Sequence, residues 1–202
     1  NFLKLQRGIE IHHDGDLPAR SGMGSSSSFT VGLLNALHAL QGHMATKEQL
    51  ANESIMIEQD ILKENVGSQD QVNAAYGGFN HISFHTSGEI SVRPVIIPPD
   101  RQDELTSHLM LFYTGIKRTA DKVAGQYVES LESKRRQLRI LRDMVEESLS
   151  ILCGSGPIRE FGELLHEGWL TKQAISDKIS NSAITELYDA ARQAGALGGK
   201  IT

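Results

Sequence analysis

The stretch Leu17–Ser28, LPARSGMGSSSS, lies directly before the apolar segment FTVGLLNALHAL. Two glycines and a run of four serines give this stretch many backbone N–H and hydroxyl donors. In the segment that follows, Phe29, Leu33 and Leu37 recur at the spacing of an amphipathic helix. Because the N-terminus of a helix carries a partial positive charge, it would favour an anion bound at the turn. The sequence therefore predicts an anion-binding loop, with phosphate as its natural ligand.

A flexible Gly/Ser linker is the alternative interpretation of the same composition. The preceding segment Gly8–His12 alternates apolar and polar residues, which predicts a half-buried strand. A loop between a strand and a helix is ordered by both neighbours, so we favour an anion-binding loop over a linker. A Walker A loop is excluded because no Lys follows Gly24 beside the hydroxyl residues.

Two carboxylates downstream are candidates for chemistry. Glu58 lies near the end of a predicted helix that begins at the capping residue Thr46. Asp70 lies in the turn segment Val66–Gln71, VGSQDQ. Taken alone, Asp70 is typical of a surface turn and Glu58 of a solvated helix face, with Glu53 as its nearest competitor. The residues by themselves leave these roles open.

The loop resembles the second motif of the GHMP kinase superfamily, P-x-x-x-G-[LM]-G-S-S-[AS]. The motif is filled in order by Pro18, Gly22, Met23, Gly24, Ser25 and Ser26. The segment around Asp70 is similar to the G-x-x-D-Q segment of galactokinase-like enzymes, in which a helical Glu precedes the Asp by the interval between Glu58 and Asp70. Residues 191–202 resemble the start of the third motif. The loop segment, with Met23 between its two glycines, is most similar to the sugar kinase branch that includes heptose 7-phosphate kinase.

The resemblance implies an α+β fold with two domains of the GHMP kinase type. The N-terminal domain would be similar to domain 2 of ribosomal protein S5, and the C-terminal domain would be ferredoxin-like. We expect the first, ATP-binding domain over residues 1–100 and the second over residues 101–202, because prolines punctuate the chain near residue 100. We also expect an internal fragment of a longer protein, whose first domain lacks its first strands and whose second domain is truncated.

The resemblance also assigns roles to residues of this sequence. The nucleotide would be bound by Pro18, Arg20, Ser21, Gly22, Met23, Gly24, Ser25, Ser26 and Ser27. Ser26 and Glu58 would hold Mg²⁺, since hydroxyl and carboxylate oxygens suit this ion. Asp70 would contact the substrate and act as the catalytic carboxylate that accepts its proton. The sugar or its phosphate would also be bound by residues that match a T-G-x-x-R segment, namely Thr114, Gly115 and Arg118.

The implied activity is transfer of the γ-phosphate of ATP, with Mg²⁺, to a hydroxyl of a sugar or sugar phosphate, the anomeric one by resemblance. One alternative is another GHMP reaction such as mevalonate phosphorylation, which would need an apolar pocket. A second alternative is a non-catalytic protein that binds nucleotide or sugar as a regulator. The joint presence of Ser26, Glu58 and Asp70 favours catalysis.

Composition bears on other partners and on location. The formal net charge of −5 gives no electrostatic reason to expect nucleic acid or an anionic membrane as a partner. Cys153 is the only cysteine, so an internal disulfide is excluded, which fits a reducing compartment. The sequence has no evident signal peptide or transmembrane run, and we expect a cytoplasmic protein. The resemblance allows a homodimer.

The remaining sequence predicts further elements. Residues 79–85 and 90–97 are strand-like and flank a turn, which predicts a hairpin. The apolar run at residues 109–113, LMLFY, predicts a buried strand. A long helix is predicted from Ala120 to about Ile151. Shorter helices are predicted to begin near Pro157, Thr171 and Ser182.

Overall fold

The computed structural model describes residues 2–6, 8–16, 22–115, 134–175 and 180–201. Residue contacts divide the chain into two compact units. The first unit contains the described residues up to Gly78 together with Gly115, and the second contains the others. The domain boundary expected near residue 100 stays a prediction.

The described part of the first unit is helical. It contains α1 (Ser25–Leu40), α2 (Lys47–Met56), a π-helical turn (Ile57–Ile61) that continues α2, and α3 (Gln69–Tyr76). Thr46 caps α2 by accepting a 3.1 Å hydrogen bond from the backbone N–H of Gln49. The predicted helices after the Gly/Ser loop and after Thr46 are thus confirmed.

A small apolar core holds these three helices together, and every pair of them is in contact. Val31 and Leu34 of α1 are buried with Leu50 of α2. Ala74 and Ala75 of α3 pack against this cluster. Because alanine side chains are small, α3 can approach the other two helices closely, which brings its first turn near the start of α1.

The second unit combines a β-hairpin with helices. β1 (Asn80–Phe84) pairs with β2 (Ile90–Pro94) in antiparallel register, with Ile82 opposite Val92. At the turn, Gly88 has a φ of 89°, a left-handed conformation that glycine adopts without strain. The predicted hairpin is confirmed, and together with the helices it confirms the mixed α+β class.

The described helices of the second unit are α4 (Pro99–Ser107), α5 (Arg135–Cys153), α6 (Arg159–Gln173) and α7 (Ser182–Gln193). Leu105, Leu152 and Ile158 form one buried cluster. Trp169 is 2% exposed and its ring centroid lies 5.7 Å from that of Tyr188. None of the helices in the described residues combines the length and the apolar composition that a membrane span needs.

Three sequence-based predictions of secondary structure are wrong. Residues 8–12 and 109–113 lie in exposed irregular chain and not in strands. A strand needs a neighbour to share its backbone hydrogen bonds, and the described residues contain a single pairing, β1 with β2. The pattern of apolar residues indicates which side chains could be buried. It does not indicate whether a second strand lies alongside to share backbone hydrogen bonds. The helix predicted to begin near Thr171 is also wrong, because α6 already contains this residue.

Candidate functional site

The Gly/Ser loop ends at the N-terminus of α1. Gly24 precedes the helix with φ 65° and ψ 26°, in the left-handed region. The first backbone hydrogen bond of the helix runs from the N–H of Ser28 to the carbonyl of Gly24, at 2.9 Å. The N–H groups of Ser25–Ser27 therefore have no partner within the helix. The first turn, which lies within the described residues, contains no acidic side chain. This helix end is suited to bind an anion.

Asp70 lies directly against this loop. It occupies the first turn of α3. A Cβ atom placed on Gly24 would lie 3.3 Å from the Cβ and Cγ atoms of Asp70 and 3.4 Å from its Oδ2 atom. The left-handed φ and this close approach both favour glycine at position 24. The predicted catalytic carboxylate, which is exposed to solvent, is thus adjacent to the predicted phosphate loop.

Glu58 is buried where three elements meet. It lies in the π-helical turn, and 2% of its surface is exposed. The hydroxyl of Ser27, on α1, donates a 3.2 Å hydrogen bond to Oε2 of Glu58, and Nε2 of Gln71, on α3, donates to the same oxygen. The other oxygen, Oε1, is buried and has no hydrogen-bond partner among the described residues. A buried carboxylate with one bonded and one unbonded oxygen is a candidate cation ligand.

Burial raises the pKa of Glu58 above its ordinary value, because the charged form loses its hydration. The hydrogen bonds from Ser27 and Gln71 lower this pKa, and the nearby charges of Glu64 and Asp70 raise it. Burial is the largest of these contributions. Within the described residues no cationic side chain forms a salt bridge with Glu58. A cation at Oε1 would supply the opposite charge that this carboxylate lacks.

The π-helical turn determines where Glu58 lies. The N–H of Leu62 bonds to the carbonyl of Ile57, five residues earlier, at 2.9 Å. Such widened turns within helices are frequent at functional sites. After the turn, Nε2 of Gln59 donates to the carbonyl of Val66 at 2.9 Å and to Oγ of Ser68 at 3.2 Å. These hydrogen bonds of Gln59 stabilise the segment between Glu58 and the start of α3.

Several of the predicted site residues lie at exposed positions. Ser26 is exposed on α1, and the next residue, Ser27, is the one that contacts Glu58. Thr114 and Gly115 are exposed. The metal role of Ser26 and the substrate roles of Thr114 and Gly115 stay predictions. The predicted residues that lie outside the described part of the chain are Pro18, Arg20, Ser21 and Arg118.

Two buried polar residues, Gln71 and Ser54, do not stand out from the sequence. Gln71 is 1% exposed and Ser54 is fully buried. For Gln71 a signal was present, because it shares a helix face with Ala74 and Ala75, which pack against the core. A polar residue on such a face is usually buried with a hydrogen-bond partner. The partner itself, Glu58, could be identified only from the packing of the helices.

Mg²⁺ at this site would have few protein ligands. Among the described residues, no group of three or more His, Cys, Asp or Glu side chains could hold a metal ion. Mg²⁺ usually keeps several waters and is bound by one or two carboxylates together with substrate phosphates. The orphaned Oε1 of Glu58 and the hydroxyls of the adjacent loop fit this chemistry.

Comparison with known proteins agrees with this geometry. Residues 1–78 match the family model of the GHMP kinases N terminal domain. Residues 1–78 are therefore similar to the N-terminal domain of GHMP kinases. The matched residues include the Gly/Ser loop, Glu58 and Asp70, and they coincide with the first unit as far as Gly78.

Similar proteins cover both units of the chain. The D-glycero-alpha-D-manno-heptose 7-phosphate kinase of Campylobacter jejuni is 25% identical over 100% of this chain and 60% of its own length. The mevalonate kinase of Thermococcus sibiricus is 26% identical over 98% of this chain and 57% of its own length. The crystal structure of a D-glycero-D-manno-heptose 1-phosphate kinase from Bacteroides thetaiotaomicron has 28% identity and a TM-score of 0.64, over 93% of this chain and 52% of that one. The chain thus spans between 52% and 60% of the length of these proteins.

Proposed function

We propose that the protein is an ATP-dependent kinase that phosphorylates a hydroxyl of a sugar or sugar phosphate. The observation that carries this proposal is a convergence within the first unit. Gly24 of the loop lies against Asp70, and Ser27, in the first turn of α1, bonds to Glu58. An anion-binding helix end, a carboxylate suited to a metal and a carboxylate suited to a proton are the parts that phosphoryl transfer uses. The match of residues 1–78 to the GHMP kinases N terminal domain supports the same activity.

In this proposal the phosphates of ATP bind at the N-terminus of α1. The N–H groups of Ser25–Ser27 have no helical partners, and Gly24 has no side chain that would hinder their approach to a phosphate. The serine hydroxyls add further donors. By resemblance the nucleotide site extends to Gly22 and Met23 and to Pro18, Arg20 and Ser21.

Glu58 and Ser26 are the proposed protein ligands of Mg²⁺. Glu58 offers a buried oxygen that has no hydrogen-bond partner among the described residues, and Ser26 lies in the first turn of α1, next to Ser27. When bound, Mg²⁺ would neutralise charge that develops on the phosphate oxygens during transfer. A divalent cation would also offset the loss of hydration that raises the pKa of Glu58.

Asp70 would accept the proton of the attacking hydroxyl. In the reaction, the substrate oxygen forms a bond to the γ-phosphorus while the bond from that phosphorus to the β,γ-bridging oxygen breaks. ADP leaves, and the hydroxyl proton passes to Asp70. Asp70 suits this role because it is exposed to solvent and lies against Gly24, next to the proposed phosphate site.

The substrate class is inferred from the similar proteins. The names of two of them specify heptose phosphates, and we propose a sugar or sugar phosphate that is phosphorylated on its anomeric hydroxyl. Thr114, Gly115 and Arg118 are the proposed contacts to the sugar or its phosphate. The similarity to mevalonate kinases makes mevalonate the alternative substrate.

The intact protein, supplied with ATP and Mg²⁺, would be screened against heptose phosphates, hexoses, hexose phosphates and mevalonate. ADP release measures turnover, and ³¹P NMR identifies the hydroxyl that is phosphorylated. We expect turnover with a sugar or sugar phosphate and a product phosphorylated at the anomeric carbon. Turnover with mevalonate alone would replace the proposed substrate class. ATP binding without turnover of any of these compounds would contradict the kinase and indicate a regulator.

A further inference from the structure

We infer that Gln71 is a positioning residue for Glu58: together with Ser27 it holds Oε2 of this carboxylate, so that Oε1 is the oxygen left for a divalent cation. The inference rests on the proposed function, because it concerns how the protein presents its metal ligand. It assigns a role to a residue that neither reacts with the substrate nor touches the metal.

The arrangement of the two hydrogen bonds carries the inference. A carboxylate has two oxygens that together offer about four acceptor positions. Ser27 donates from α1 and Gln71 donates from α3, yet both bonds end on Oε2 of Glu58. Because two helices hold the same oxygen, rotation of the carboxylate about its last bond would break both hydrogen bonds. Oε1 is therefore kept in one direction, without a partner of its own among the described residues.

Burial of Gln71 is not explained by packing. Its side chain is 1% exposed, and its own Oε1 atom has no hydrogen-bond partner in the described part of the chain. A buried polar atom that stays unbonded costs about 1–3 kcal/mol, whereas an apolar side chain of similar length would avoid this cost. The feature that an apolar residue could not supply is the N–H group donated to Glu58.

Position 71 also ties the metal ligand to the proton acceptor. Asp70 and Gln71 are consecutive residues in the first turn of α3, and Asp70 lies against Gly24 while Gln71 bonds to Glu58. One helical turn therefore fixes the location of both carboxylates relative to the loop. This arrangement predicts that loss of the Gln71 donor weakens metal-dependent binding without unfolding the protein.

The test measures how strongly Mg²⁺ enhances nucleotide binding in the intact protein. The affinity for a non-hydrolysable ATP analogue is determined by calorimetry with EDTA and again with excess Mg²⁺, and the ratio of the two dissociation constants is the metal enhancement. Gln71→Met keeps the side-chain length but removes the donor. Gln69→Met is the matched control, because Gln69 is exposed on the same helix. We expect Gln71→Met to lower the metal enhancement by about 10–100-fold, as is typical for partners of a metal ligand, and Gln69→Met to leave it unchanged.

Glu58→Gln distinguishes failure of this inference from failure of the proposed function. We expect this variant to lose the metal enhancement. If Glu58→Gln retains the wild-type enhancement, the proposed metal site is wrong. If Glu58→Gln loses it while Gln71→Met keeps it, the metal site stands and the positioning role of Gln71 is overturned.

Thermal unfolding in EDTA tests whether Gln71 is merely structural. We expect Gln71→Met to unfold near the wild-type temperature, because methionine removes the unbonded Oε1 atom of Gln71 while Oε2 of Glu58 keeps its hydrogen bond from Ser27. Gln71→Asn is the second variant, since it keeps the amide group but is one methylene shorter than glutamine. If neither variant folds, or if both fold with the wild-type metal enhancement, Gln71 does not act through Glu58.

Discussion

The two units differ in what they bury. The buried polar side chains of the described residues all belong to the first unit, and they are Ser27, His38, Ser54, Glu58 and Gln71. The buried residues of the second unit are apolar in the described part of the chain, among them Leu152, Leu164 and Trp169. Burial of a polar group is unfavourable unless it is hydrogen-bonded, so a concentration of such groups indicates a functional site. This difference supports the proposal that the chemistry belongs to the first unit, whereas the described core of the second unit is apolar packing.

Two glutamates of the first unit sharpen this comparison. Both oxygens of Glu53 are bonded: Oε2 lies 2.7 Å from Nε2 of His38, and Oε1 accepts a 2.8 Å bond from Nε2 of Gln49. Within the described residues, Glu58 has one hydrogen-bonded oxygen and one buried oxygen without a partner. Glu53 is thus satisfied by the fold, whereas Glu58 has capacity left for a ligand. In the sequence only the spacing to Asp70, interpreted by family resemblance, favoured Glu58 over Glu53, and the hydrogen bonds favour the same residue.

The largest expected effect follows from removal of the charge on Asp70. Asp70→Asn keeps the shape of the side chain but removes the proton acceptor. We expect kcat of the intact protein to fall about 10²–10⁴-fold, the typical contribution of a general base. Affinity for the ATP analogue should hardly change, because the proposed phosphate contacts come from the loop. Asp60→Asn, at an exposed position of the π-helical turn, is the control. A kcat near that of the wild type would remove Asp70 from the mechanism, and loss of nucleotide binding would make it a structural residue.

The second prediction tests whether the cores of the two units serve different purposes. Trp169→Ala removes a large side chain that is 2% exposed in the second unit. We expect the free energy of unfolding to fall by about 3–5 kcal/mol, because the cavity cannot close fully. The metal enhancement of the folded variant should equal that of the wild type. Leu170→Ala, at a neighbouring position that is 50% exposed, should have a much smaller effect on chemical denaturation. A loss of metal enhancement in Trp169→Ala would break the proposed division between the units.

The sequence predicts features that depend on nearby residues. The α1 helix after the Gly/Ser loop, the cap at Thr46 and the hairpin are each specified within a few residues, and all are present. The approach of the loop to Asp70 was implied by family resemblance, but its basis became visible only in the packing of α3. Ala74 and Ala75 permit that packing, but a pair of alanines in the sequence does not indicate which helices they pack against.

Features that depend on distant residues could not be predicted. The apolar patterns of residues 8–12 and 109–113 predict strands, yet both segments are irregular in the structure. The spacing of apolar residues also could not distinguish a π-helical turn from regular helix around Glu58, since the two differ by one residue in hydrogen bonding. The role of Gln71 was also not predicted, because its hydrogen-bond partner Glu58 lies 13 residues away along the chain.

The smallest expected effect concerns the pH dependence of stability in the metal-free protein. Burial raises the pKa of Glu58 in the native state, so the native state holds this proton to a higher pH than the unfolded state does. Between the ordinary pKa and the raised pKa, the native state binds more protons, and the contribution of Glu58 to the free energy of unfolding falls as pH rises. Glu58→Gln lacks this contribution. The stability of the wild type relative to Glu58→Gln should therefore decrease across this window and become constant above the native pKa.

Urea unfolding in EDTA at a series of pH values measures this difference. Glu48→Gln, at an exposed position of α2, should follow the wild type at every pH. A pH-independent difference between the wild type and Glu58→Gln would contradict the raised pKa. Because Mg²⁺ would bind the ionised carboxylate, its addition with the ATP analogue near neutral pH should stabilise the wild type more than Glu58→Gln. Equal stabilisation of both proteins would show that Glu58 does not bind Mg²⁺. The difference in buried polar residues between the two units would then not indicate a metal site.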